Sequence, residues 1–325
     1  MSRRIISLLT RSDEMMERLK KLPVPVLPTF VGTLTLSNVY GGMGYTWLRY
    51  LVMAIATVVI IAYTVKIIKY PKVCAGEYAN TVPASLYAGF TMCLMILGSF
   101  FYELGLGFGK AIWFVAVIIH AVHIVVFTYN NVIKKRDINT TVPSWFVTYN
   151  GIMVSCVTGG AMNAKGMLGV ITVYGIIIYL ILIPVMIVRM LKVEMKPAVY
   201  HTMPVVLAPC SLCVVSLCNV FSEPNPALLY FLYFCVLASL AFIIIKLPDF
   251  FSFPFAPGFA GLTFPMAIGI VATNKMAAYL TAHGNEAMAN ACKQLSGLQI
   301  LLTSMLVGYV LVNFTRMLLK KEMRG

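Results

Sequence analysis

The side chains that could carry covalent or metal chemistry are few and scattered. His120 and His123 lie three residues apart and would share one face of a helix, a spacing that could hold a metal between two imidazoles. No carboxylate or third ligand accompanies them, so the pair reads as hydrogen-bonded structural histidines. Cys210 and Cys213 form a C-x2-C, but the pair sits in an apolar run with no second pair at zinc spacing, and reads as small packing residues. His201 and His283 fall near the ends of apolar runs, and Glu103, Glu223, Asp249 and Glu286 stand at run ends or in connections. No carboxylate occupies the middle of a run, where a proton-coupled carrier often keeps one; its absence leans towards a channel or uniporter. Lys275 could draw anions to a pore mouth or simply snorkel from the end of its run. These residues imply no cofactor and no metal, and leave a membrane enzyme or sensor as the weakest reading.

The elements that must position such residues are set by composition. Residues of the AVILMFWYC set make up 60% of the 325-residue chain and charged residues 11%, against roughly 45–50% and about 25% in soluble domains. No polar seam divides the chain, which predicts one membrane domain over residues 22–318, an amphipathic surface segment over 1–21 and a short tail over 319–325. Met1 to Lys21 mixes acids and bases and lacks the apolar core of a cleavable signal. Ten stretches are free of charge: 22–48, 50–65, 78–102, 111–133, 138–164, 166–188, 197–222, 224–245, 250–274 and 294–315. A bilayer core needs about 20 mostly apolar residues per helix, a length the second stretch reaches if Arg49 and Lys66 snorkel.

Twenty of the 25 Lys and Arg residues fall on one side of this ten-span arrangement, the side that holds both chain ends. Positive charge stays inside, so both termini are expected in the cytoplasm, with the protein in the inner (plasma) membrane. The same flanking residues account for the formal charge of +14. That charge therefore argues neither for nucleic acid, whose binding would need a basic face, nor for an anionic substrate.

The odd-numbered stretches hold 23 of the 31 Gly and Pro residues found in the ten. An interrupted helix is tolerated in lipid only where its freed backbone is buried in protein or lines an aqueous cavity. The odd helices are therefore expected inside, lining a central path, and the even ones outside. Pro23, Pro83, Pro143, Pro204 and Pro265 recur every 60 or 61 residues, which suits five tandem helical hairpins around an axis. Candidate lining residues are Gly32, Thr33, Gly89, Asn150, Gly151, Pro204, Gly261 and Thr263. Their hydroxyl and amide groups, with backbone N–H groups freed at the interruptions, could partly replace an anion's water without a tight charge pair.

Three motifs carry a resemblance. Phe259-Ala-Gly-Leu-Thr-Phe-Pro-Met-Ala-Ile-Gly269 resembles the ninth helix of the TehA-like tellurite-resistance/dicarboxylate transporter (TDT) family, which includes fungal malate transporters and the slow anion channels of plant guard cells. Pro25-Val-Leu-Pro-Thr-Phe-Val-Gly32 resembles the start of its first helix, and Val142-Pro-Ser-Trp-Phe-Val-Thr-Tyr-Asn-Gly151 the start of its fifth. The resemblance implies an all-α integral membrane protein of ten transmembrane helices in five hairpins, a neutral pore in each protomer and a homotrimer. It further implies that Phe264 gates the pore, with Pro265 supplying the kink. The expected function is passage of small anions such as halide, nitrate or small carboxylates, the alternative a proton-coupled carrier of malate-type dicarboxylates. Span seven departs from the family pattern, having no Gly but keeping Pro204 and Pro209.

Overall fold

The computed structural model describes residues 16–135 and 138–319, and every regular element among them is a helix. The main segments are α1 (Val26–Gly42), α2 (Thr46–Lys69), α3 (Thr81–Glu103), α4 (Phe108–Lys134), α5, α6 (Lys165–Lys192), α7 (Met203–Val220), α8 (Pro226–Phe251), α9 (Phe264–Ala282) and α10 (Glu286–Leu319). The fifth is three consecutive short turns, Trp145–Tyr149, Gly151–Met153 and Val154–Thr158. A short helix, Pro71–Tyr78, precedes α3, and a 3-10 turn, Pro257–Leu262, precedes α9. Seven segments, α2, α3, α4, α6, α7, α8 and α10, are long and apolar enough to cross a bilayer. The other three fall short: α1 by length at 17 residues, α5 by its breaks and α9 by hydropathy. Most of the surface segment expected over 1–21, and the tail beyond Leu319, lie outside the described residues.

Burial separates the two sets. Within their most apolar windows α3 is 72% and α7 89% buried, against 28% for α2 and α4 and 33% for α6, α8 and α10. Each odd segment packs on the next odd segment, and α9 returns to α1, so the five close a ring; each even helix leans on the outside between its neighbours. Lipid tails are as apolar as Leu, so helices in a bilayer gain by close approach through small residues and not by expelling water. The ring is built that way. A Cβ on Gly89 of α3 would sit 2.8 Å from the Pro28 nitrogen of α1, and one on Gly98 would sit 2.8 Å from the Gly109 carbonyl oxygen of α4.

Turns at one end of the ring are made by residues in the left-handed region. Gly44, Gly105 and Gly284 (φ of 97°, 79° and 74°) end the connections out of α1, α3 and α9, and Asn163 (φ 55°) does so after α5. A Cβ is costly at such φ, which is why Gly or Asn stands there. At the opposite end Pro83, Pro204 and Pro265 each fall in a first helical turn, where the missing N–H costs nothing.

One expectation changes here. Lys66 does not snorkel: its side chain is fully buried, with Nζ donating to both carboxylate oxygens of Glu77 (2.7 and 2.9 Å) and to the Leu22 carbonyl (2.7 Å). Tyr87, at the break in α3, also donates to Glu77. Helix α2 is 24 residues long and extends past the charge-free stretch at both ends, so an internal partner for Lys66 replaces a route to water.

Candidate functional site

The ring encloses two cavities end to end. The inner one, about 920 Å³, lies where the five odd segments begin and takes wall from Pro28, Pro83, Val147, Val205 and Pro265. Among the described residues its wall carries one lysine, Lys135, whose Nζ is held by the Ala79 carbonyl at 2.6 Å. The outer one, about 1070 Å³, lies at the far ends of α1, α3, α5 and α9 and is closed laterally by the first turns of α2 and α10. Among the described residues Phe264 alone borders both, and it is 5% exposed.

The placement of Phe264 follows from its local sequence. The 3-10 turn Pro257–Leu262 ends at Thr263, whose hydroxyl turns back to the Ala260 carbonyl (2.7 Å) and approaches the Pro28 carbonyl (3.4 Å). Helix α9 then starts at Phe264, with Pro265 locking φ in the first turn. Two glycines let neighbours press on this junction. A Cβ on Gly32 would lie 2.5 Å from the Phe264 nitrogen and 2.8 Å from the Thr263 Cβ, so α1 rests directly on the backbone that carries the ring. At Gly261 the His201 carbonyl oxygen occupies the space a Cβ would need. The His201 imidazole also stacks on Phe259, with ring centres 4.0 Å apart, and its Nε2 donates to the Phe250 carbonyl at 3.0 Å.

The expected lining residues divide into two groups. Gly261, Phe264 and Pro265 border the inner cavity. Gly32, Thr33, Gly89, Asn150, Gly151, Pro204 and Thr263 border neither cavity and serve the joints of the ring. Thr33 spends its hydroxyl on the Thr29 carbonyl (2.9 Å) within α1. Asn150 donates Nδ2 to the Gly175 carbonyl (2.9 Å), tying the break in α5 to α6. Gly151 leaves room for the His120 imidazole, whose Cε1 would lie 2.8 Å from a Cβ there. Pro204 is buried, and its neighbour Val205 reaches the cavity instead.

His120 and His123 have hydrogen-bonding roles. Nε2 of His120 donates to the Thr148 carbonyl (2.9 Å), which makes Nδ1 the acceptor for the Thr91 hydroxyl (2.7 Å). His123 is bonded to Tyr78 and Thr148 through its two nitrogens. Among the described residues no group of three or more His, Cys, Asp or Glu side chains is arranged to hold a metal.

The outer cavity holds what sequence reasoning missed. Arg49 donates Nε to Asn38 Oδ1 (2.7 Å) and a guanidinium nitrogen to Glu103 Oε2 (2.6 Å). Ser296 donates to Asn274 Oδ1 (2.6 Å), and Lys275 and Lys293 stand on the same wall. Polar residues at helix ends look alike in sequence whether they face lipid headgroups or a shared cavity, so of these residues the sequence suggests a pore mouth for Lys275 alone. No curated protein matches the chain. A family model described as SLAC1, voltage-dependent anion channel, matches residues 22–318.

Proposed function

Because the chain belongs to the SLAC1 voltage-dependent anion channel family, we propose that it conducts small anions through a neutral pore along the axis of the ring, closed by the side chain of Phe264. An anion channel or transporter in a multi-pass membrane protein follows from the family and the apolar helices; the phenylalanine gate is our reading. The observation that carries it is the position of Phe264, which alone among the described residues borders both cavities. A phenyl ring across a narrow path blocks it by volume and offers no hydrogen bonds to an ion that must shed water.

In this reading all ten segments cross the membrane as five hairpins, both termini face the cytoplasm across the plasma membrane, and three copies assemble with one pore each. Residues 22–318 form the pore domain between two short cytoplasmic ends. The cargo is halide, nitrate or a small carboxylate. Gly261 and Pro265 line the inner approach, while Gly32 and Thr263 hold the gate from behind.

The test is anion flux from liposomes containing purified protein. Phe264→Ala should raise flux of chloride and nitrate by tenfold or more, on the order of the loss of a ~1.4 kcal/mol barrier, while Phe264→Leu stays close to the parent. Flux should follow the anion gradient and ignore an imposed pH gradient. A Phe264→Ala protein that inserts normally yet conducts no better than the parent removes the gate; a response to the pH gradient replaces the channel with a proton-coupled carrier.

A further inference from the structure

The outer cavity is more than an opening. Among the described residues four charged side chains stand on its wall: Arg49, Glu103, Lys275 and Lys293. Arg49 and Glu103 are paired at 2.6 Å and cancel. Lys275 and Lys293 make no ion pair with any described residue, so the wall keeps two uncompensated positive charges.

The neutral groups are oriented in the same sense. Arginine can only donate, so its bond to Asn38 fixes Oδ1 towards the guanidinium and leaves the Asn38 NH2 without a partner among the described residues. Asn274 has its Oδ1 occupied by the Ser296 hydroxyl, which likewise frees its NH2. Glu103, the one carboxylate among the described lining residues, has Oε2 taken by Arg49; the Ser99 hydroxyl lies 3.4 Å from Oε1 but has its closer acceptor in the Thr158 carbonyl at 3.0 Å. Both amide oxygens and one carboxylate oxygen are taken within the protein while two amide NH2 groups are left over, which together with the two lysines suits an anion and discourages a cation.

We infer that this cavity is an anion-loading site, in which Lys275 and Lys293 concentrate a small inorganic anion and the amides of Asn38 and Asn274 replace part of its water before it reaches Phe264. Two charges facing a low-dielectric recess raise the local concentration of counter-ions, by tenfold at the low end of such effects. The amide donors make the site local, whereas charge alone would give a diffuse field. The inference rests on the anion-channel reading for its purpose but not for its detection.

The experiment therefore reads binding and not flux. Gly42 borders the cavity and has open space where a Cβ would stand. Gly42→Cys is introduced with the three partly accessible cysteines, Cys74, Cys218 and Cys235, replaced by serine. Its rate of modification from outside is compared for an anionic and a cationic methanethiosulfonate, with and without sodium nitrate at constant ionic strength made up with gluconate.

The anionic reagent should react about tenfold faster, and nitrate should slow it in a saturable way. Lys275→Gln with Lys293→Gln should bring the two rates together. Asn274→Leu should keep the charge preference and lose most of the nitrate protection. Equal rates in the parent, or a preference that survives removal of both lysines, overturn the inference; so does nitrate protection that is unchanged in Asn274→Leu. Nitrate flux measured in parallel keeps the two readings apart. Protection without flux leaves the site and removes the channel, and flux without protection does the reverse.

Discussion

At the scale of single residues, the junction before α9 is held by contact with α1 as well as by Pro265 and the Thr263 hydroxyl. Gly32 is the most exacting position: an added methyl would have to displace the Phe264 nitrogen, 2.5 Å away, or push α1 outward. Overpacking of this kind costs about 1–3 kcal/mol. Gly32→Ala should therefore lower thermal stability in detergent and raise resting anion leak, because the displaced backbone carries the ring. Gly42→Ala, with open space around it, should change neither. Equal behaviour of the two variants would show that the α1 contact does not set the ring's position. The motif singles out Phe264 and Pro265, and both stand on the wall of the inner cavity. The role of Gly32 was not legible: in sequence a glycine that admits a neighbouring helix and one that lines a channel look the same, and the difference is which face it presents.

At the scale of elements, breaks and burial were legible because both leave a mark in composition. Gly and Pro gathered in the odd stretches, and the odd segments are the buried ring. Partners distant in sequence were not legible, and Lys66 shows why. A lysine at the end of an apolar run has an easy route to water, and nothing local reveals that Glu77, on a separate helix, will close over it. The buried pair makes a sharp prediction. Glu77→Gln leaves a buried ammonium without its counter-charge and should cost on the order of 3 kcal/mol, seen as a lower unfolding temperature in detergent. Adding Lys66→Met should recover most of that loss, since removing both charges removes the desolvation penalty with them. A double variant no more stable than Glu77→Gln would mean that the pair is needed for shape and not for charge balance.

At the scale of the whole molecule, the positive-inside count predicts a sidedness the fold can be held to. Reporter fusions at the two termini should both read cytoplasmic, and a cysteine at Gly44 or Gly284, in turns at the outer-cavity end, should be modified by impermeant reagents from outside. Labelling of those turns from the cytoplasmic side would invert the arrangement. The even helices turn large apolar side chains such as Val170, Leu191 and Ile245 away from the ring, each more than 70% exposed, as a lipid-facing surface requires. The ring's closure has a further consequence. Helix α10 packs against α1, and Phe314 near its end meets Phe255 at the inner-cavity end, where α1 also begins. The covalent start of the polypeptide is then only one of several possible cuts in a circle. A circular permutant, with its old ends joined by a flexible linker and new ones opened in the connection 193–196 between α6 and α7, should insert and conduct as the parent does. Failure to insert would mean that the order of synthesis, and not only the closed packing, selects this structure.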